Sequence, residues 1–196
     1  MLSLLSVYGA FWLFVILMVS TPGPANLLAM ASGAQHGFSA MIPFQAGLVS
    51  GKFLLNIGIS FGLATLLANN QQAYFILALI SASYMGYLAL RGWNKQPSTA
   101  AKKAILGFRA GLFVHPLNPK AWVMSSLAYS QFASGFEGAF AKYALVPLSF
   151  AVVQIIFHSL WCFAGAVLGQ KMNESQTLNR ALILLTLAVV IWALFQ

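Results

Sequence analysis

Two proline-rich stretches interrupt otherwise apolar runs, and they constrain the fold more than any other feature of the chain. The first, Ser20-Thr21-Pro22-Gly23-Pro24-Ala25-Asn26, breaks a run from Leu4 to Met30. The second, His115-Pro116-Leu117-Asn118-Pro119-Lys120, lies inside a later apolar segment. Proline lacks a backbone N–H and its ring clashes with the preceding turn, so neither stretch continues a regular helix. In lipid every freed backbone N–H and C=O needs a partner, so such a break is tolerated only where it faces protein or a water-filled cavity. Two interrupted hydrophobic segments in corresponding halves of a chain point to a transporter binding site.

Composition places these runs in a membrane. Of 196 residues, 60% are hydrophobic and 6% charged, against about 25% charged in a soluble domain. Six apolar segments can be drawn: Leu4–Ser20 with an extension past the break to Met30, Met41–Ala68, Ala73–Leu90, Leu106–Phe132, Tyr143–Leu168 and Ala181–Phe195. A spanning helix needs about 20 residues; the sixth segment is short and reads as extended back toward Leu178. The pattern predicts an all-α polytopic membrane protein of about six transmembrane helices, built as two inverted three-helix repeats with broken first helices. Residues 1–196 form one transmembrane transporter domain, with repeat 1 about 1–92, a link about 92–104 and repeat 2 about 105–196. An odd number of spans per half inverts one half against the other, so the two breaks approach a midplane site from opposite sides.

The formal net charge is +8, and its distribution speaks for topology rather than for a nucleic-acid partner. Arg91, Lys95, Lys102, Lys103 and Arg109 gather around the third link, and Lys171 and Arg180 flank the fifth. The positive-inside rule puts the third link in the cytoplasm and both termini in the periplasm of a bacterial inner membrane. The first twenty residues hold no Lys or Arg, so the basic region of a secretory signal is missing and the first run reads as a retained helix. One cysteine, Cys162, excludes an internal disulfide. The only carboxylates, Glu137 and Glu174, fall in links, so an intramembrane Asp or Glu proton relay is not expected. An enzyme would lack its usual acids, bases and metal ligands. No catalytic residue, metal or cofactor is expected. The expected partners are an amino-acid-like small molecule and the bilayer, and self-association into a homo-oligomer is compatible with both.

The candidate substrate-binding residues follow from the breaks. At the first, Pro22, Gly23, Pro24 and Asn26 would leave carbonyls free for an ammonium and a helix N-terminus near Ala25 for a carboxylate; the plainer reading is a proline kink that shapes packing. At the second, Asn118 with Pro119 would form the other broken-helix element, its amide able to satisfy or mimic backbone groups, and His115 would either carry a proton or serve as a hydrogen-bonded structural histidine. Lys52 lies about 15 Å into its segment, near the middle of a hydrocarbon core of about 30 Å. A lysine there costs about 2.5–3.5 kcal/mol on insertion scales, so it is expected to face the cavity or a partner, unless the span is shorter and Lys52 reaches outward. Gln45, Asn56, Gln154 and His158 are further polar groups inside apolar runs, each a substrate contact or an interhelical hydrogen bond. Lys120 is expected either to line the site or, the better reading, to snorkel to the cytoplasmic surface. Gly47, Gly51, Gly58 and Gly62 would let helices approach closely, and Trp93, Trp122 and Trp161 would anchor at the interface or pack.

Thr21-Pro22-Gly23-Pro24-Ala25-Asn26, His36-Gly37-Phe38, Ala46-Gly47-Leu48 with Gly51, Gly111-Leu112-Phe113 and Leu117-Asn118-Pro119-Lys120-Ala121 resemble the lysine-exporter (LysE/RhtB) family. The resemblance runs over nearly the whole chain, and Thr21 through Gly51 most resembles the cysteine and O-acetylserine exporter branch. It implies an inner-membrane secondary transporter that exports amino acids or their derivatives, driven by proton-motive force, through alternating access. Many members carry an aspartate directly after the glycine matching Gly51, where this chain has Lys52. That departure disfavours a cationic substrate and points to a zwitterion or an anion. The alternatives from other classes are a non-transporting membrane binding or assembly protein and an ion exporter or channel of similar architecture.

Overall fold

Proline sets where the helices begin. It occupies the first or second position of four of them, where its missing N–H is one of the helix's orphan donors in any case. The computed structural model describes residues 2–65, 70–93, 105–172 and 175–193. Along it run α1 (Leu2–Ser20), α2 (Pro24–His36), a 3₁₀ turn at Ser39–Met41, α3 (Ile42–Ser60), α4 (Gln71–Leu90), α5 (Phe108–Leu117) and α6 (Pro119–Phe132). Short turns through Ala133–Gly135, Gly138–Phe140 and the π-helical Ala141–Leu145 lead into α7 (Val146–Lys171), and α8 (Gln176–Trp192) closes the bundle. The described residues are all-helical, without strands. Most of the basic third link, including Lys95, Lys102 and Lys103, lies outside the described residues, as does Glu174.

Three stretches are long and apolar enough to cross a membrane: Ser39–Ser60, Gln71–Leu90 and Tyr143–Lys171. A fourth is the broken pair Val7–Ser20 and Pro24–His36, bent by 51°. The second expected segment leaves helix at Ser60, where Gly62 turns the chain at φ 93°, a left-handed conformation that ends helices; its expected end at Ala68 lies outside the described residues. The sixth starts five residues earlier than its apolar run, at Gln176.

Two contacts between parallel helices hold the bundle together. On α7, a Cβ at Gly165 would strike the Met30 carbonyl and one at Gly169 the Ala34 carbonyl; on α2, a Cβ at Gly33 would strike Cys162. Likewise Gly47 and Gly51 of α3 meet Phe108, Gly111 and Leu112 of α5 backbone to backbone. Small residues are what let helices approach this closely. At the same end, Asn179 Nδ2 donates to the Gly92 carbonyl at 2.7 Å and the Arg180 guanidinium lies 5.5 Å over the Trp93 ring.

The apolar interior is divided. One cluster joins Leu28, Phe44, Leu48, Met85, Val114, Cys162 and Ile183 from α2, α3, α4, α5, α7 and α8. A second joins Phe11, Val15 and Val19 of α1 to Met124 and Ala128 of α6 and to Phe136, Val146, Phe150 and Val153. A third, smaller cluster joins Leu55 and Ile59 of α3 to Ala121 of α6.

The glycine contacts predict opposite effects for the same change. Gly165→Ala should lower the thermal midpoint of the purified protein by several degrees, since overpacking costs about 1–3 kcal/mol. Gly9→Ala, where a Cβ meets nothing within 4 Å, should leave it unchanged or raise it. Equal midpoints for the two variants would contradict the close α2–α7 contact.

Candidate functional site

The first break leaves the last carbonyls of α1 in need of donors, and each finds one. The Leu17 carbonyl accepts from Thr21 N and from Ser20 Oγ, both at 3.3 Å. Thr21 Oγ1 donates to the Met18 carbonyl at 3.1 Å. Asn26, reaching back from α2, donates through Nδ2 to the Val19 carbonyl at 2.8 Å and to the Thr21 carbonyl at 2.9 Å. The indole of Trp161 on α7 donates to the Ser20 carbonyl at 3.3 Å. The second break repeats the device. Asn118 N donates to the His115 carbonyl at 3.0 Å, and the Trp122 indole donates to the Pro116 carbonyl at 2.7 Å. Asn118 Oδ1 accepts from Lys120 N at 3.0 Å, capping α6.

The two helix starts differ in one respect. α6 has its asparagine cap, whereas α2 begins at Gly23 with extended backbone and no side-chain cap. An uncapped helix N-terminus offers unpaired N–H groups and the positive end of the dipole. Lys120 Nζ lies beside it, 3.2 Å from where a Gly23 Cβ would stand, and donates to Thr21 Oγ1 at 3.1 Å. The two breaks are thereby bonded directly to each other.

Between them lies a pocket of about 30 Å³ lined by Gly23, Pro24, Asn26, His115, Asn118, Gln154 and His158, with Thr21, Lys120, Met18, Val19, Ala25 and Met124. Its inner wall is one polar chain. Asn26 Oδ1 and His158 Nδ1 are 2.7 Å apart, His158 Nε2 and His115 Nε2 3.2 Å, and His115 Nε2 and Gln154 Nε2 3.3 Å. The imidazoles lie near-parallel with centroids 5.4 Å apart. His115 Nδ1 and Gln154 Oε1 are buried without a hydrogen-bond partner, which is costly unless something else supplies one. No carboxylate lines the pocket; Glu137 is exposed elsewhere.

Seven of the twelve expected residues therefore line the pocket, and five lie outside its lining. Pro22 is exposed at its mouth, and Pro119 is buried as the first residue of α6. Gln45 Oε1 accepts from Ser159 Oγ at 3.1 Å, joining α3 to α7. Lys52 is completely buried, but against α6: its Nζ donates to the Ala121 carbonyl at 2.7 Å and to Ser125 Oγ at 2.6 Å, and lies 4.5 Å over the Phe150 ring. Ser125 Oγ in turn bonds Asn56 Oδ1. Of the two places expected for Lys120 the structure has it half-buried at the pocket; a cation in the first turn of a helix opposes the dipole, which is a signal that something else holds it there. Trp122 and Trp161 cap the breaks through their indole N–H groups, a role not read from the sequence.

The arrangement can receive a carboxylate at the α2 N-terminus beside Lys120, and it presents acceptor and donor atoms on Gln154 and His115 a short distance away. A pocket of this size holds water but not an amino acid, so a solute enters only when the surrounding helices part.

A family model described as LysE type translocator matches residues 15–195. The chain is 28% identical over 185 residues to the cysteine/O-acetylserine efflux protein of Escherichia coli O1:K1 / APEC, covering 90% of this chain and 92% of that protein. It is 26% identical over 156 residues to the homoserine/homoserine lactone efflux protein of Salmonella typhimurium strain LT2, covering 74% and 76%. No solved structure matches.

Trp122→Phe and Trp161→Phe keep the aromatic bulk and remove one N–H each. Each should cost about 1–3 kcal/mol by leaving a carbonyl at a break without that donor, seen as a lower thermal midpoint in detergent. Stability equal to wild type in both variants would mean that water or lipid headgroups already satisfy those carbonyls.

Proposed function

The chain belongs to the LysE type translocator family, and on that footing we propose that it exports small amino acids or their derivatives across the bacterial inner membrane, as a proton-coupled secondary transporter working by alternating access. Members of the family are transporters rather than enzymes, and the apolar helices fit a membrane protein. The observation that carries the finer reading is the meeting of the two proline breaks. Thr21 and Lys120, 99 residues apart in sequence, are bonded to each other at the mouth of a buried polar pocket. Both apolar clusters contribute to the lining of that pocket, Ala25 from one and Val19 and Met124 from the other. A polar site lined by both breaks, with too little room for its solute as folded, has the form of a carrier whose helices part to bind.

In this reading α1–α2 and α5–α6 are each one broken span, and α3, α4, α7 and α8 complete six spans in two inverted repeats. The end of the bundle bearing Arg91, Lys171 and Arg180 faces the cytoplasm, in keeping with the positive-inside rule. The substrate carboxylate sits at the α2 N-terminus and Lys120, and its ammonium or side chain is met by Gln154 and His115. Cysteine, O-acetylserine and homoserine, for which the relatives are named, are zwitterions of that form. Gln45, Lys52, Asn56 and Pro119 support the helices that carry the site.

Purified protein in liposomes loaded with unlabelled O-acetyl-L-serine or L-homoserine should take up the labelled compound transiently above equilibrium. Lys120→Gln should weaken that counterflow at least tenfold, about 1.4 kcal/mol, mainly through a raised KM. Absence of counterflow with every small amino acid tried would refute the exporter. Equilibration without transient accumulation would identify a channel.

A further inference from the structure

The hydrogen-bond chain on the inner wall assigns its own protons. Asn26 Nδ2 is committed to two carbonyls of the first break, so the oxygen of the same amide faces His158 Nδ1 at 2.7 Å. An amide oxygen only accepts, so His158 carries a hydrogen on Nδ1. In its neutral form the other nitrogen, Nε2, is then bare, and it faces His115 Nε2 at 3.2 Å. Gln154 Nε2, a donor only, addresses that same His115 nitrogen at 3.3 Å. Two arrangements satisfy these atoms. With one added proton, His158 is doubly protonated and donates from Nε2 to a bare His115 Nε2, which also accepts from Gln154; His115 then carries its hydrogen on Nδ1. Without it, His115 donates from Nε2 to His158, and the Gln154 amide turns over to present its oxygen.

We propose that the His115–His158 pair is the binding site of the exchanged proton, and that this proton and the substrate's ammonium exclude each other in the pocket. The proposal rests on the exporter reading and names the carrier it requires. The geometry gives the pair one shared proton, held between two rings that both line the pocket. The other ionisable groups close to it are Lys52 on α3, whose Nζ is occupied against α6, and Lys120 on α6, which lines the pocket; Asn26, Asn118 and Gln154 are uncharged. With the pair charged, an incoming ammonium meets like charge and finds Gln154 already donating. With the pair neutral, Gln154 and His115 Nδ1 are rearranged and the repulsion is gone. Proton arrival from one side then expels substrate, and substrate arrival from the other expels the proton, which is the exclusion that an antiporter needs. Asn26 joins the pair to the backbone of the first break, so a change of charge on His158 bears directly on the bonds that hold α1 to α2.

The test measures proton release on substrate binding. Wild-type protein in weakly buffered detergent, mixed with O-acetyl-L-serine or L-homoserine, should release up to one proton per bound substrate. Below the pH at which the pair loads, substrate affinity should fall toward tenfold per pH unit, as one competing proton requires. His115→Gln and His158→Gln should release none. Binding without release in wild type, or undiminished release in both variants, would overturn the proposal while leaving the exporter standing; absence of binding and of counterflow would overturn the exporter itself. If a variant does not fold, nitrogen spectra of the wild type decide, since the chain has only three histidines. The expected spectrum shows His158 with its hydrogen on Nδ1 and both rings of the pair shifting at one shared midpoint that substrate moves to lower pH. A pair that stays neutral throughout the pH range of transport, or two rings titrating independently, would sink it.

Discussion

Everything in this fold depends on finding partners for backbone groups that proline sets free in apolar surroundings. A buried carbonyl without a donor costs about 1–3 kcal/mol, and two helix breaks expose several at once. The chain meets this with side chains drawn from elsewhere: Asn26 and Trp161 at the first break, Trp122 at the second, with Asn118 capping the helix that follows. Because these donors come partly from other helices, each break can persist only while its neighbours stay in place. The irregular backbone and the helix arrangement therefore specify each other. The α2 N-terminus and the unpartnered atoms of His115 and Gln154 lie in the pocket, while other buried polar atoms, among them Asn56 Nδ2 and Ser149 Oγ, stand without partners elsewhere.

The same interdependence gives the bundle two kinds of contact. Glycines press α2 onto α7 and α3 onto α5, backbone against backbone. Under the two-repeat reading the corresponding pairs are α6 with α3 and α1 with α7. Those pairs touch through side chains, among them Lys52 with Ala121 and Phe11 and Val15 clustered with Phe150 and Val153 of α7. Under that reading two halves alike in plan would be held unlike in packing, and exchanging their conformations would exchange which side is closed.

How much of this could be read beforehand divides along physical lines. The breaks were legible because proline acts locally, and Asn26 and Asn118 because an amide beside a break has an obvious task. Depth was legible for Lys52, which is fully buried, but direction was not. Successive helix residues turn by about 100°, and Gly51 faces α5, so its neighbour Lys52 points to α6 instead of the pocket. The indoles of Trp122 and Trp161 were not legible, since an aromatic at a membrane boundary and one that caps a distant carbonyl have the same local pattern. The end of α3 at Ser60 was hidden by hydropathy that continues past it, while Gly62 provides the turn.

The two lysines in the interior show why position matters more than charge count. Lys52 spends its hydrogens on a carbonyl and a hydroxyl and lies over an aromatic face, so its Nζ is answered within the protein, outside the pocket lining. Lys120 has one hydroxyl partner and sits at the mouth, so its charge is available. Under the proposed function Lys52, standing where the resemblance leads one to expect an aspartate, would act on substrate polarity only at one remove, by holding the first turn of α6 through Ala121. What the pocket itself presents is a helix N-terminus, an available ammonium and no carboxylate. Under the proposed function such a field would draw in the carboxylate end of a solute and leave the cationic end to be met by neutral acceptors, which would make those acceptors, and whatever proton they carry, the part of the site where affinity can be switched.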